Sequence, residues 1–195
     1  MKVSSSGAVL FLALLFFQLS SHPASAQGSF GSDEPTSLRA SVNFVWLSDF
    51  DSQGLSFSNR LHHYLGERFG AGLTLGLLSS SRFDKVKDIY TIKSTYYMWG
   101  VEGTFDVLKN ETVAFRLGAG PAARHRSEIS TEDEVGGTKD GSVSHIRTAD
   151  VGVTAFIEND FGIFRNGMAG GRVEYMYYTK GTPVLSVGLH VGYSF

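Results

Sequence analysis

Between Val184 and Phe195 every second side chain is apolar: Leu185, Val187, Leu189, Val191, Tyr193 and Phe195 alternate with Ser186, Gly188, His190, Gly192 and Ser194. Period two is the signature of a strand whose faces differ, because successive side chains point to opposite sides of a sheet. Seven earlier segments repeat it. In 38–47 the apolar set is Leu38, Ala40, Val42, Phe44 and Trp46, against Arg39, Ser41 and Asn43. In 55–65 the rhythm is interrupted by Asn59 and His63. The third segment, 69–77, sets Phe69, Ala71, Leu73, Leu75 and Leu77 against Gly70, Gly72, Thr74 and Gly76. The others run from Tyr96 to Leu108, from Val113 to Arg124, from Thr148 to Ile157 and through Arg172 to Tyr177. Pro121 interrupts one ladder position near the end of the fifth segment, where a strand tolerates it.

The first 26 residues read as a secretory signal peptide. Lys2 supplies the charge, Ala8 to Phe17 the apolar stretch, and Ala24-Ser25-Ala26 the cleavage site. That stretch is shorter than the roughly 20 residues a membrane helix needs. Removal leaves 195 − 26 = 169 residues, the size of one domain. Residues 27–37 (QGSFGSDEPTS) form a flexible lead-in, and 38–195 the folded domain. With 23 glycines, 4 prolines and 13% aromatics, the chain favours strands and tight turns. It has no cysteine, so an exported chain of this kind needs another constraint, such as a closed hydrogen-bond ladder. The same absence excludes lipid attachment at a cysteine. A net charge of −2 argues against a nucleic-acid partner.

Eight alternating segments predict an all-β, eight-stranded antiparallel up-and-down barrel. Short turns around residues 66–68 and 109–111 alternate with polar stretches after the third and fifth strands, the asymmetry of a transmembrane barrel. Strands of about ten residues span a bilayer when tilted. The segment ENDFGIFRNG is read as a connector that is long for an inner turn. Which face carries the charge separates a membrane barrel from a soluble ligand carrier. The polar face is poor in Lys and rich in Gly, Ser and Thr, and so suits a narrow interior better than a solvated exterior. Its charges balance: Arg39, Arg60, Arg116 and Arg172 against Glu102, Asp106, Asp150 and Glu174, an expected internal ion-pair network. Tyr96, Met98, Met176 and Tyr178 share that interior, leaving no porin channel. Trp46, Tyr97, Trp99, Tyr175, Tyr177 and Tyr193 fall among the outward residues, as interfacial girdles require.

On this pattern and its closing Gly-Tyr-Ser-Phe, the chain resembles the small eight-stranded outer-membrane barrels of Gram-negative bacteria, the OmpX-like and OmpA transmembrane-domain type. The resemblance covers the whole mature chain. It implies an integral outer-membrane location, contact with outer-membrane lipid and lipopolysaccharide, a monomeric state, and no cofactor. It also implies that Tyr193 and Phe195 are read by the outer-membrane assembly machinery. The periplasmic domain of longer relatives is expected to be missing. The resulting expectation is a non-enzymatic barrel serving envelope integrity or surface contact through its outer loops.

Other residues offer competing chemistry. His125 and Ser127 lie on one side of the fifth strand, where a base reaches a hydroxyl. Small lipid A deacylases resemble such barrels and use a His-x-Ser pair, but Glu128 stands where that family has Asn. Catalysis on lipid A, or a secreted soluble carrier, are the alternatives. Of His62, His63 and His190, His62 and His190 belong to the inward set, and no third ligand stands at a convincing spacing for a metal. Glu132, Asp133, Glu134 and Asp140 read as a solvated acidic loop rather than a calcium loop. Arg82, Lys85, Lys87 and Lys93 are candidates for contact with lipopolysaccharide phosphates.

Overall fold

The computed structural model describes residues 35–47, 52–84, 89–110, 112–130, 144–180 and 182–195. The signal peptide, most of the lead-in and the acidic 131–143 stretch lie outside the described residues, as do Lys85 and Lys87. Eight strands close into one antiparallel barrel in sequence order: β1 (Thr36–Leu47), β2 (Ser52–Tyr64), β3 (Phe69–Asp84), β4 (Ile89–Lys109), β5 (Val113–Ser130), β6 (Ser144–Phe164), β7 (Gly167–Tyr178) and β8 (Val184–Ser194). Closure pairs β1 with β8, so the sheet has no free edge through its central band.

The stagger of the barrel follows from its register. Successive partners run Thr36, His63, Ala71, Gly103, Ala119, Ala155, Tyr175 and Leu185, and return to β1 at Trp46, ten residues beyond the start. Eight strands with a shear of ten tilt by about 41° for the usual strand rise and spacing. That tilt leaves an interior which side chains can fill.

The strands are longer than the alternation suggested. Thr36 and Ser37 already belong to β1, within the expected lead-in. β3 and β4 continue through most of the polar 79–93 stretch, and β5 and β6 reach past Glu128 and His145. Backbone pairing needs no apolar face, so hairpins persist where both faces meet water. ENDFGIFRNG is likewise mostly strand: β6 runs to Phe164, and Arg165 and Asn166 make the turn. Asn166 has φ 67°, the left-handed conformation a tight hairpin requires. The barrel therefore has a turn end, at residues 65–68, between Lys109 and Val113, and at residues 165–166, and a loop end, where β3 to β6 project beyond their neighbours.

Side-chain orientation decides between the two barrel designs. Leu73, Val151 and Leu189 are 46%, 63% and 64% exposed, whereas Glu102 and Arg116 are each 1% exposed and Asp150 4%. Apolar side chains coat the outside of every strand, and ions fill the bore. Tyr97, Trp99, Tyr175 and Tyr177 are exposed towards the loop end of this coat. Phe69, Phe105, Tyr193 and Phe195 are exposed towards the turn end.

Candidate functional site

The interior has two tiers. At the turn end, Glu158 of β6 lies among four guanidinium groups. Arg39 Nη1 and Arg116 Nη1 lie 2.6 and 2.7 Å from its Oε1, Arg172 Nη1 lies 3.5 Å from its Oε2, and Arg60 Nη1 also pairs with Oε2. Asp160 shares Arg39 and Arg116 at 3.1 Å each and takes His190 Nε2 at 2.5 Å. Arg116 also donates from Nε to Asp106 at 2.7 Å and from Nη2 to the Tyr64 hydroxyl at 2.6 Å. Arg172 reaches Glu102 at 2.6 Å and Glu174 at 3.0 Å. Thr74 and Thr154 hydroxyls donate to Glu102 and Glu174, filling lone pairs the arginines leave open. A buried charge costs several kcal/mol unless paired and hydrogen-bonded, and this network spreads compensation over many partners.

Phe156 packs into the same tier, with the Arg172 guanidinium 3.4 Å from its ring centroid. Its β5 neighbour across the ladder is Gly118. A Cβ at that glycine would lie 2.1 Å from the Phe156 ring, so the aromatic fits only because its partner has no side chain. Glu158, Asp160 and His190 present ligand atoms within 4.8 Å of one another. The arginines already occupy the two carboxylates, so the cluster is an ion-pair core.

The loop-end tier is built differently. Val45, Leu47, Leu78, Tyr96, Ala122, Met176, Tyr178 and Val184 form an apolar plug, with Met98 against it. Above it Arg124 is fully buried. Its Nε donates to Asp150 at 3.1 Å, and its Nη atoms donate to the backbone oxygens of Lys180 and Thr182 at 2.8 and 3.1 Å. The rings of Tyr178 and Tyr96 flank it at 4.0 and 5.3 Å. Between the tiers lies a cavity of about 30 Å³, bordered by Asn43, Ser56, Thr154, Glu174 and Ser186, room for about one or two waters. Among the described residues, side chains of the two tiers occupy much of the bore.

The structure thus places the sequence-derived charges as follows. Arg39, Arg60, Arg116, Arg172, Glu102, Asp106 and Glu174 all lie in the turn-end tier. Asp150 does not meet them: it lies eight residues nearer the loop end of β6 than Glu158, directly across the ladder from Arg124, which takes it. Glu158 and Asp160, the centre of the network, were missed because their segment was read as a connector. The signal was present: Phe156, Glu158 and Asp160 continue the inward set, opposite Ile157 and Phe161. The inward face is also less polar than expected, since Val45, Leu47, Leu78 and Val184 form the plug.

His62 bonds the Thr104 hydroxyl at 2.9 Å, while His63 bonds Thr36 at 2.8 Å. His125 and Ser127 share the outer side of β5, but the Ser127 hydroxyl meets His145 Nε2 of β6, 2.9 Å away. Among the described residues His145 has no carboxylate to orient it, and Glu128 instead faces inward to Ser94. Tyr193 and Phe195 lie on the outer surface, and the Phe195 amide donates to Thr36.

No protein-family model matches the sequence, and neither does any curated protein. Solved structures match its fold. Neisserial surface protein A superposes with a TM-score of 0.61 at 14% identity, over 82% of this chain and 97% of that one. Ail, the attachment invasion locus protein of Yersinia pestis, gives 0.53 at 14%, over 83% and 99%. A major outer membrane protein from Thermus thermophilus gives 0.55 at 12%, over 82% and 99%. The chain is structurally similar to the small eight-stranded outer-membrane barrels, a likeness of fold.

Proposed function

We propose that this chain is a non-enzymatic integral outer-membrane barrel, exported by its first 26 residues. Its filled barrel anchors in lipid, while its loop end makes surface or envelope contacts. The observation that carries the reading is the inverted polarity of the two faces. A continuous exposed apolar coat surrounds a charged interior, and a coat of that extent is stable against hydrocarbon, not water. The secreted-carrier alternative requires the opposite arrangement. Lipid hydrolysis finds no support in a Ser127–His145 pair that lacks an orienting acid among the described residues.

Membrane fractionation tests the reading. The protein should stay with outer membranes through carbonate and urea washes, and should migrate differently in detergent gels before and after boiling. Release into the wash, or heat-independent migration, would show the assignment to be wrong. Replacing Ser127 or His145 should leave the lipid A mass spectrum unchanged; an altered spectrum would restore the enzyme reading.

A further inference from the structure

Gly76, Gly100 and Ala122 stand on the neighbouring strands β3, β4 and β5 and face the bore with little bulk. Beside them lies the cavity of about 30 Å³ between the two tiers. The packing does not force it. A Cβ at Gly100 would find its nearest neighbour, the Pro121 backbone oxygen, 3.4 Å away, an ordinary contact. Much of the remaining border is oxygen, from Ser56, Thr74, Thr154, Ser186 and the Glu174 carboxylate. Thr74 donates its hydroxyl proton to Glu102 at 2.7 Å, and Thr154 donates to Glu174 at 2.6 Å. With those protons committed, the two hydroxyls offer the cavity only lone pairs.

The charge balance is the second observation. Among the described residues, the guanidinium groups of Arg39, Arg60, Arg116 and Arg172 serve five carboxylates of the turn-end tier: Glu102, Asp106, Glu158, Asp160 and Glu174. Arg172 is divided between Glu102 at 2.6 Å, Glu174 at 3.0 Å and Glu158 at 3.5 Å. His190 does not supply the missing charge. Its Nε2 meets Asp160 at 2.5 Å, but its buried Nδ1 has no partner among the described residues, so a second proton there would lack an acceptor. Lys109 stays at the turn end, with Nζ 3.8 Å from the centroid of the Tyr64 ring. One negative charge of the interior is therefore uncompensated, and Glu174 is the carboxylate that borders the cavity.

We propose that the cavity binds one small monovalent cation, a sodium ion, held by Glu174, Thr74 and Thr154. Sodium is close to water in size and takes hard oxygen donors. Magnesium keeps several of its waters and calcium takes about six to eight oxygens, more than a space for about one or two waters admits. A single charge also matches a single excess carboxylate, while Arg172 beside Glu174 opposes a second one. The site concerns the interior alone and stands whether or not the outer coat faces lipid.

The test uses the full chain in detergent micelles, unfolded and refolded through urea at constant ionic strength. Sodium chloride replaces choline chloride stepwise, and tryptophan fluorescence with circular dichroism reports the folded fraction. For a Kd of about 10 mM, raising sodium from about 1 to about 100 mM should raise the folded-to-unfolded ratio about tenfold. Glu174→Gln keeps the side-chain shape and removes the excess charge, so it should fold without sodium and lose the response. Gly100→Ala sets a methyl group in the cavity and should weaken the response without altering any charge. Glu67→Gln removes an exposed carboxylate at the turn end and should respond like wild type.

A wild-type ratio that stays within about twofold across the series overturns the site. So does an undiminished response in folded Glu174→Gln, or a lost response in Glu67→Gln. Should Glu174→Gln fail to fold, Gly100→Ala decides, and a full sodium response there overturns the proposal. An equal response to magnesium at matched ionic strength overturns the assignment to a monovalent ion.

Discussion

At the turn end of the bore, Glu158 is shared by arginines from β1, β2, β5 and β7, and Asp160 by two of the same groups. At the loop end, Arg124 has one carboxylate and completes its bonding with two backbone oxygens and two aromatic faces. The first arrangement ties distant strands together through fixed charges. The second ties the β7–β8 connection to the barrel wall. Burial is the same, so what differs is what each charge is allowed to touch. A many-partner core joins four strands, whereas a single clamp holds one connection.

Substitutions should separate the two designs. The largest effect is expected for Glu158→Leu, which leaves Arg39 and Arg60 with greatly reduced compensation. Breaking one side of a buried ion pair costs about 3–5 kcal/mol. The check is the urea midpoint of the gel-shifted folded form, and a midpoint unchanged from wild type would refute the hub. Next comes Arg124→Met combined with Asp150→Asn, which removes the clamp without stranding a charge. Its loss is expected at about 1.5–3 kcal/mol, the range for hydrogen bonds to charged groups. The local readout is faster proteolysis at Lys180, with the turn end unaffected; cleavage at the wild-type rate would argue against a clamp.

Gly118→Leu tests packing in the ionic tier. Overpacking against Phe156 should cost about 1–3 kcal/mol, and adding Phe156→Leu should recover part of it. A double variant no more stable than the single one would mean that the ring is not what the glycine accommodates. The smallest effect belongs to Arg126→Gln. Its pair with Glu128 is 3.7 Å long, with side chains 19% and 15% exposed, so a change under about 1 kcal/mol is expected. A loss comparable to that of Glu158→Leu would erase the distinction between core and rim ions.

Much of the architecture was readable before any coordinates. Leu189 and His190 face opposite ways because strand side chains alternate, and that holds whatever the neighbours are. The same rule assigned Arg39, Arg60, Arg116 and Arg172 to one face and Trp99 and Tyr177 to the other. The errors share a cause. Polar residues such as Ser80, Lys93 and Asp160 read as connections, although the ladder continues through them. A strand that leaves the apolar band keeps its hydrogen bonds and loses only its hydropathy signal.

Which inward charges meet was a different kind of question. Asp150 and Glu158 sit on the same face of β6, eight residues apart, yet they serve opposite ends of the bore. Orientation is a local property of an extended chain, and the order of residues was enough to specify it. Level is not local: it depends on how far each strand slides past the next. The β5–β6 register set Arg116 against Glu158 and Arg124 against Asp150, whereas the shift of ten residues around the ring brought Arg39 of β1, which borders neither strand, level with Glu158. Closure of the ladder set that shift, and closure exists only in the assembled barrel.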